Sequence, residues 1–385
     1  NVVDASAYVG SGTITVKTKS ELEDDTATVN TITGSAGTDV FEIAINDTSS
    51  NTAMTSLTKF ETIKITDDDA DTDHTFTFVL ADENATHTNS SSFETITVDA
   101  SAIGANGDTA NINAATEADA KVVMKGGAGA NTITLSTSAN HGDTVTAGAG
   151  DDTISAGASN LTKLDSIDAG DGTDTLTFSA NATVLDAAFT EVSNLEKLTS
   201  TANIEVTLTL GSEAAEAGLT TINLAGTDGT DTVTVGAGFT NALTIDLDSD
   251  ATGNTITATN YTKDLSVTAL GSEMDSNAST ITGGTGTDTI TVTSAGDDDV
   301  LIVTGITNVE KIVLKDDGDA TDDTFSITTA DALIADGATM TFDASALSTD
   351  DFTIDASAES NGKVIVKGGS GVTTITATAS DMGDD

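Results

Sequence analysis

The chain has 385 residues, with 62 acidic against 13 basic side chains, a formal net charge of −49 and no Cys, Pro or Trp. The absence of cysteine excludes a disulfide framework, Cys-ligated zinc and a thiol nucleophile. All 13 basic residues are Lys, and an acidic chain without Arg is a poor partner for nucleic acid or anionic membranes. No apolar run approaches the roughly 18 residues of a membrane-spanning segment. The charge also opposes folding unless salt or bound cations neutralise part of it.

β-Branched residues alternate with other residues in many short segments, which predicts strands with one buried face. The clearest are residues 12–16, 95–98, 132–135, 232–235 and 289–292. A helical pattern is confined to residues 213–217 and 330–335. Because Pro is absent, Gly, Asp and Asn must form the bends. The sequence therefore predicts an all-β chain of many short strands.

Segments of the first third of the chain recur in the last third in the same order. Residues 31–39, 60–63 and 67–73 match residues 280–288, 309–312 and 316–322, each at an offset of 249. Residues 98–102 match 342–346 at an offset of 244, and residues 121–127 match 363–369 at an offset of 242. We interpret residues 1–136 as a first copy of a long β repeat, 137–263 as a solenoid-like middle segment, and 264–385 as a second copy. Since the chain opens inside this repeat without an initiator Met, we expect it to be a segment of a larger protein.

A shorter period lies within the long unit. Similar glycine-rich turns begin at Gly127, Gly148 and Gly170, spaced by 21 and 22 residues, and second half-turns lie between them at Asp143 and Asp165. Two strands and two turns in about 22 residues are what one coil of a parallel β-solenoid requires, because each coil buries its apolar row on the next. The residues expected to stack at one edge are Asn131, Asp152 and Asp174.

The turns resemble the calcium-binding glycine-rich repeats of the RTX family, whose nonapeptide is Gly-Gly-x-Gly-x-Asp-x-(large apolar)-x. Residues 283–291 match every defined position, and residues 147–155 and 169–177 depart only at the first Gly. Two further turns carry Asn131 and Thr373 in place of the Asp, and residues 34–39 and 226–231 match more loosely.

The resemblance implies turns in which glycine carbonyls and the carboxylates of a neighbouring turn surround Ca²⁺. The implied metal-site residues are Asp39, Asn131, Gly148, Gly150, Asp151, Asp152, Gly170, Asp171, Gly172, Asp174, Asp231, Gly284, Gly286 and Asp288. We therefore expect an all-β fold of calcium-stabilised parallel β-solenoid or β-roll-like repeats, with interspersed β-sandwich-like modules as a further option.

A second motif occurs at four strand entries, where an apolar residue is followed by Glu, then Lys or Thr, then another apolar residue. It lies at residues 60–63, 93–96, 195–198 and 309–312. Together with the Thr/Ala-rich strands and the sporadic RTX turns, it resembles the surface-layer (S-layer) proteins of Gram-negative bacteria that are exported by type I secretion. The resemblance implies a calcium-loaded structural subunit that assembles with copies of itself into a lattice. The Glu is either specific to this motif or a salt-bridged strand residue.

Two other functions stay open. Large repetitive RTX adhesins share these features, so an adhesin or extracellular filament stalk is the second hypothesis, with cell-surface polysaccharide as a further candidate partner. A secreted carbohydrate-active enzyme is the third, because paired carboxylates are plentiful. However, Arg is absent, and His74, His87 and His141 have no catalytic sequence context. We therefore predict a protein without enzymatic activity.

Acidic runs outside the glycine-rich turns are separate candidates. They lie at residues 67–73, 297–299 and 316–319 and are either calcium-binding loops or solvated bends. Extracellular calcium sites have dissociation constants on the order of 0.1–1 mM, which the exterior can fill and a cytosol cannot. We therefore expect the protein outside the cell, at a bacterial surface.

Overall fold

Parallel β-strands make up most of the regular structure. The computed structural model describes residues 2–4, 15–19, 31–35, 37–45, 57–67, 75–84, 95–104, 108–138, 140–157, 161–201, 203–224, 230–247, 253–275, 279–295, 298–318 and 324–377. The strands form a β-solenoid of about 12 turns, and helix accounts for 5%. The prediction of an all-β parallel solenoid is therefore confirmed.

The strands are short, and turns of Gly, Asp and Asn separate them. The first seventeen are β1 (Val2–Asp4), β2 (Thr15–Lys19), β3 (Thr31–Thr33), β4 (Val40–Ile45), β5 (Leu57–Thr58), β6 (Thr62–Asp67), β7 (Thr75–Val79), β8 (Thr95–Asp99), β9 (Thr109–Asn113), β10 (Lys121–Lys125), β11 (Thr132–Thr134), β12 (Thr144–Thr146), β13 (Thr153–Ala156), β14 (Ser166–Asp168), β15 (Thr175–Phe178), β16 (Ala182–Val184) and β17 (Val192–Ser193).

The strands that follow are of similar length. They are β18 (Lys197–Ser200), β19 (Val206–Leu210), β20 (Thr221–Leu224), β21 (Thr232–Val235), β22 (Leu243–Asp246), β23 (Thr255–Thr257), β24 (Leu265–Leu270), β25 (Thr280–Thr282), β26 (Thr289–Thr293), β27 (Asp299–Leu301), β28 (Ile306–Thr307), β29 (Lys311–Lys315), β30 (Thr324–Thr328), β31 (Thr339–Ala346), β32 (Asp351–Asp355), β33 (Lys363–Lys367) and β34 (Thr373–Thr376).

Helical structure is sparse in the described residues. The α-helix α1 (Ser212–Glu216) confirms the helix expected at 213–217, and single 3-10 turns lie at Asp82–Asn84, Asp186–Phe189 and Gly271–Glu273. The helix expected at 330–335 is wrong, because this segment forms turns and bends. Its Asp331 side chain accepts hydrogen bonds from the backbone and hydroxyl of Ser360, so contacts with a distant loop replace a local helix.

The chain divides into two compact units by contacts, and each is built of parallel sheets. Unit 1 comprises residues 1–179, 187–197 and 216–218. It contains a three-stranded sheet of order β1-β3-β5, an eight-stranded sheet of order β17-β14-β12-β10-β8-β6-β4-β2, and the run β7-β9-β11-β13-β15. Adjacent strands are thus mostly two elements apart in sequence, as expected when each coil returns onto the one before it.

Unit 2 comprises residues 180–186, 198–215 and 219–385. It contains a six-stranded sheet of order β16-β19-β21-β23-β25-β28, a four-stranded sheet of order β27-β30-β32-β34, and the run β20-β22-β24-β26-β29-β31-β33. The strand pairs described in both units, such as β19 with β21 and β11 with β13, are parallel. The described residues therefore show no antiparallel sandwich-like module, and the three-part division by sequence repetition stays a prediction.

Equivalent apolar residues of successive coils stack to form the core. In unit 1 the register places Ile112, Ile133, Ile154 and Leu176 in line, and all four are buried. The alternating residues, mostly Thr, lie on the other face of each strand. Burial of one such side chain contributes about 1.5–3 kcal/mol relative to exposure. The period-two pattern of the sequence is therefore the direct cause of this stacking.

Two pairs of strands that match in sequence also match in register. β10 pairs with β8 in the first copy as β33 pairs with β31 in the second, and the same Lys–Asp ion pair joins the strands. The matching contacts are Lys121 with Thr95 and Lys125 with Asp99 in the first copy, and Lys363 with Thr339 and Lys367 with Asp343 in the second. The segments that match in sequence therefore also share specific contacts.

Candidate functional site

The Asp or Asn that ends a glycine-rich turn lies on the inner face of the coil. Asp152 comes two residues before Ile154 of β13, and alternation along a strand places both side chains on the same face. Asp152 and Asp174 are 1% and 0% exposed, and Asn131 is buried in the same way. Polar side chains at such positions need hydrogen-bond partners.

Their partners are backbone N–H groups of the preceding coil. The amide nitrogen of Asn131 lies 2.6 Å from Oδ1 of Asp152, and that of Asp152 lies 2.7 Å from Oδ1 of Asp174. The amide of Asp174 in turn donates to Oε2 of Glu196 at 2.8 Å. The predicted stack of Asn131, Asp152 and Asp174 is therefore confirmed, as a chain of side-chain-to-backbone hydrogen bonds that we call the carboxylate ladder.

Other turns contain the same contact. The amide of Asp39 donates to Glu61 at 2.6 Å, and the amide of Asp288 donates to Glu310 at 2.7 Å. The amide of Asp231 donates to Oδ1 of Asn254 at 2.9 Å. Asp39, Asp231 and Asp288 are therefore members of local ladders.

The Glu of the second sequence motif takes part in these ladders. Glu61, Glu196 and Glu310 each lie 22 residues after the turn aspartate whose N–H they accept. The residue two positions before each Glu has a positive φ; these residues are Lys59 (61°), Asn194 (56°) and Asn308 (53°). A left-handed residue thus makes the bend that glycines make elsewhere. Sequence reasoning missed this role, although the spacing of one coil between Asp and Glu was a usable signal. The fourth example, Glu94, lies outside the described residues.

Two ladder carboxylates keep one oxygen without a hydrogen bond. Oδ2 of Asp152 and Oδ2 of Asp174 are buried and have no partner. Burial raises the pKa of Asp152 to about 6, hydrogen bonds from Asn131 oppose this, and the charges of Asp174 and Asp151 add to it. Burial likewise raises the pKa of Asp174 to about 6. A proton or a cation would stabilise each free oxygen.

The Asn131 turn shows what this position requires. Its side-chain Nδ2 donates to the carbonyl oxygens of Gly129 at 2.6 Å, Ala147 at 3.1 Å and Gly127 at 3.2 Å, and to Oδ1 of Asp152 at 3.0 Å. One positively polarised group is therefore surrounded by four oxygens. In the next two coils, an aspartate occupies the same sequence position.

The turn that ends at Asp288 matches the RTX nonapeptide best in sequence, but it differs from the turns that end at Asp152 and Asp174. Both oxygens of Asp288 accept backbone N–H groups, Oδ1 from Leu265 at 2.8 Å and Oδ2 from Gly284 at 2.5 Å. Oδ2 of Asp39 similarly accepts the amide and hydroxyl of Ser35. Gly286 is placed where a Cβ would lie 2.4 Å from the carbonyl oxygen of Lys263. Backbone donors therefore already serve these carboxylates.

Backbone conformation separates the two kinds of turn. The glycines in the turns with free oxygens have positive φ: Gly148 (118°), Gly150 (94°), Gly170 (106°) and Gly172 (143°). Gly284 and Gly286 do not appear among the positive-φ glycines. In the turns with free oxygens, the side chains of Asp151 and Asp171 are exposed. Oδ1 of Asp151 accepts a hydrogen bond from the amide of Thr173 at 2.8 Å. The amide of Asp171 donates to the carbonyl oxygen of Gly148 at 3.1 Å. These turns therefore place a buried free carboxylate oxygen, of Asp152 or Asp174, within three residues of an exposed carboxylate, of Asp151 or Asp171. Among the described residues, however, the acids of these two turns form no group of three whose carboxylate oxygens lie within 4.8 Å of one another.

A second ladder lies at the half-turns between these coils. The amide of Asp143 donates to Oδ1 of Asp165 at 2.7 Å, and Asp143 itself accepts the amide of Ser136 at 2.7 Å. Burial raises the pKa of Asp143 to about 6, against the hydrogen bonds from Ser136. Both half-turns identified in the sequence therefore also end in a structural carboxylate.

Two acids of the remaining acidic runs and one of the histidines form hydrogen bonds in the described part of the chain. Asp298 accepts the amide of Thr324 at 3.0 Å, and Asp316 accepts the amide of Gly318 at 2.7 Å. The hydroxyl of Ser138 lies 3.0 Å from Nδ1 of His141. The other candidates lie outside the described residues; these are His74, His87, Gly226, Asp297, Asp319 and residues 68–73.

An open depression in unit 2 bears on the enzyme hypothesis. It has a volume of about 700 Å³ and is lined mainly by hydroxyl side chains, including Thr220, Thr244 and Ser266. Asp264 is the one carboxylate among its lining residues. Acid–base glycoside hydrolysis uses two carboxylates, one on each side of the scissile bond. The lining of this depression supplies one carboxylate, that of Asp264.

No protein-family model matches the chain, and no curated protein matches it. Among the described residues, no helix is long and apolar enough to cross a membrane. The parallel coils and their ladders define a β-solenoid, a fold consistent with a repetitive structural or adhesin-like protein.

Proposed function

We propose that this chain is a non-enzymatic, calcium-stabilised structural protein that assembles with copies of itself into a surface layer outside a bacterial cell. The RTX-like turns and the apolar-Glu motif support this proposal through their resemblance to exported S-layer proteins. The repetitive solenoid supports the structural part of it, because stacked coils present a long surface of uniform backbone geometry rather than an enclosed pocket.

The observation that carries the proposal is the carboxylate ladder with its two free oxygens. Each coil supplies an acceptor to the backbone of the coil before it, so the ladder itself is structural. Oδ2 of Asp152 and Oδ2 of Asp174 are nevertheless buried without a partner. Calcium bound there would be held by Asp152 and Asp174, with the exposed Asp151 and Asp171 available at the turn surface, and would neutralise charge that opposes folding.

Assembly follows from the same electrostatics. Two chains of net charge −49 repel each other until cations screen or bridge them. Monovalent salt screens without specificity, whereas a divalent ion can be shared between carboxylates and can order turns. We therefore expect ordered arrays in millimolar calcium, dispersal in a chelator, and no replacement of calcium by sodium chloride at matched ionic strength.

Light scattering followed by negative-stain electron microscopy tests this directly in the three buffers. Sheets that form in calcium alone support a surface layer. Arrays that form equally well in sodium chloride contradict calcium-dependent assembly, and a persistent monomer that cleaves saccharides contradicts the structural proposal altogether.

An adhesin or filament stalk is the second candidate, and the one-dimensional stacking of coils favours it. The same micrographs distinguish the two functions, because a stalk gives isolated fibres where a surface layer gives two-dimensional sheets.

A further inference from the structure

Three acidic side chains of unit 1 converge outside the glycine-rich turns. Asp82 lies in the 3-10 turn after β7, and Glu117 and Asp119 lie in the loop between β9 and β10. One carboxylate oxygen from each lies within 4.8 Å of the others. Asp82 and Asp119 are exposed, whereas Glu117 is 0% exposed. The cluster therefore combines a buried acid with two acids that face solvent.

The buried Glu117 keeps one oxygen without a partner. Its Oε1 accepts the amides of Asp119 at 3.1 Å and Ala120 at 2.9 Å. Its Oε2 is buried and makes no hydrogen bond. A buried carboxylate oxygen without a donor is costly, so this atom points to a missing positive partner. That observation is independent of the convergence of the three acids.

Backbone contacts hold the loop in place. The amide of Glu117 donates to Ala114 at 2.9 Å, and the amide of Thr137 donates to the carbonyl oxygen of Glu117 at 2.9 Å. The amide of Ala118 donates to Oδ1 of Asp82 at 3.2 Å, which joins the two segments that carry the acids. The cluster is thus arranged by the fold and does not depend on long flexible side chains.

The same arrangement recurs in the second copy of the long repeat. Asp331, Glu359 and Asn361 occupy the positions of Asp82, Glu117 and Asp119 at the repeat offsets of 249, 242 and 242. Glu359 is 1% exposed, and its Oε2 also lacks a partner. The recurring hydrogen bonds are Asn361 N to Glu359 Oε1 at 3.3 Å, Gly362 N to Glu359 Oε1 at 2.9 Å, and Ser360 N to Asp331 Oδ1 at 3.0 Å.

We propose that Asp82, Glu117 and Asp119 bind one calcium ion, and that Asp331, Glu359 and Asn361 form a second, weaker site of the same design. All six side chains offer oxygen ligands, which calcium prefers at about 2.3–2.6 Å. Two oxygens on opposite sides of such an ion are about 5 Å apart, and the three carboxylate oxygens of the first cluster lie within 4.8 Å of one another.

The electrostatics of Glu117 agree with this. The pKa of Glu117 is raised to about 7, mainly by burial and further by the charges of Asp82 and Asp119, against the two backbone hydrogen bonds. A cation between the three acids would offset both the burial and the repulsion. A proton on Glu117 is the competing explanation for the same atom, and the experiment below separates the two.

The test is calcium binding to the dilute 385-residue chain by equilibrium dialysis, at about 0.15 M salt so that diffuse ion attraction is screened. Glu117→Gln preserves the acceptor for the two loop amides and removes the charge. We expect this variant to bind about one calcium ion fewer per chain. Glu191→Gln is the matched control, because it removes one charge from an exposed glutamate of unit 1 and should leave the stoichiometry unchanged.

A variant in the second copy tests for a gain in calcium affinity. Asn361→Asp restores the third carboxylate and should tighten one class of sites about tenfold, because affinity follows ligand charge. Glu359→Gln should abolish that gain. Circular dichroism in chelator verifies that each variant is folded.

The outcomes are distinct from those of the proposed function. Wild-type stoichiometry in Glu117→Gln, or no change of affinity in Asn361→Asp, overturns this inference and leaves a protonated loop glutamate. Because binding is measured on dispersed chains, a failure to form arrays does not affect the result. Loss of calcium in Asp152→Asn alone would locate the ions in the glycine-rich turns and also contradict the inference.

Discussion

The amide nitrogen of Asp152 donates a 2.7 Å hydrogen bond to Oδ1 of Asp174, which lies one coil further along the chain. The other oxygen of Asp174 is buried and has no partner. One carboxylate therefore has two separable roles: Oδ1 satisfies the backbone of the preceding coil, and Oδ2 is available to a cation. Substitutions that keep one oxygen and change the other can measure the two roles independently.

Asp174→Ala and Asp174→Asn should differ in calcium-free buffer. The alanine variant leaves the buried amide of Asp152 without an acceptor, which lowers the free energy of unfolding by about 1–3 kcal/mol. The asparagine variant retains Oδ1 and replaces the free oxygen by an amide donor, as Asn131 does two coils earlier, so it should be at least as stable as wild type.

Calcium should make the wild type more stable than Asp174→Asn. A site held at a hundred times its dissociation constant contributes about 2.7 kcal/mol, and Asp174→Asn should lose this gain. Urea denaturation with and without millimolar calcium measures both effects. Equal destabilisation by Ala and Asn without calcium would contradict the ladder, and an unchanged calcium gain in the Asn variant would contradict the metal site.

Glu310→Ala should expose the backbone of the preceding coil. Glu310 accepts the amide of Asp288 at 2.7 Å, and removal of that acceptor should cost about 1–3 kcal/mol. Glu310→Gln retains a carbonyl acceptor and should cost much less. Hydrogen exchange at the Asp288 amide is the local measurement, since its protection should fall in the Ala variant and persist in the Gln variant. Equal exchange in both variants would mean that Glu310 is only a strand residue.

Gly170→Ala should be more damaging than Gly318→Ala. Both glycines have positive φ, 106° and 85°, but a Cβ at Gly170 would lie 2.0 Å from the carbonyl oxygen of Gly148, whereas one at Gly318 meets nothing within 4 Å. The left-handed backbone costs each alanine about 1–2 kcal/mol. The clash at Gly170 should add about 1–3 kcal/mol through displacement of the neighbouring coil. Thermal denaturation of the two variants isolates that difference, and similar melting temperatures would show that the coils can separate without cost.

Stability without calcium should fall as the pH rises from about 4 to about 7. Burial raises the pKa of Asp143 to about 6 from its ordinary value of 3.8. Between these values the folded state binds the proton and the unfolded chain does not, so deprotonation on raising the pH favours unfolding. The melting temperature should therefore be higher at pH 5 than at pH 7.5.

Asp143→Asn should flatten this pH dependence, because a neutral amide replaces the titrating acid. Asp336→Asn is the matched control: it makes the same change of charge at an exposed side chain, so it should preserve the slope. A melting temperature that rises between pH 5 and pH 7.5 in the wild type would contradict the assigned shift.

Much of the fold could be predicted from the sequence, because its causes are local. Alternation of Thr with Ile, Val or Leu around residues such as Ile133 and Ile154 determines which face of each strand is buried. The spacing of 21 and 22 residues between turns determines the coil length, and the stack of Asn131, Asp152 and Asp174 follows from both. The helix expected at 330–335 was wrong because Asp331 bonds to Ser360, a contact that local propensity does not contain.

Only the tertiary structure decides which carboxylate oxygens at the candidate sites are free to bind a cation. Asp288 and Asp174 end turns of almost the same sequence, yet backbone amides occupy both oxygens of the former and one oxygen of the latter. Asp82 and Glu117 are 35 residues apart in sequence, and only the stacking of one coil on the next brings them together. The sequence determines the period and the residue types, whereas hydrogen bonds between coils determine which carboxylates are satisfied, because those partners come from other turns of the solenoid.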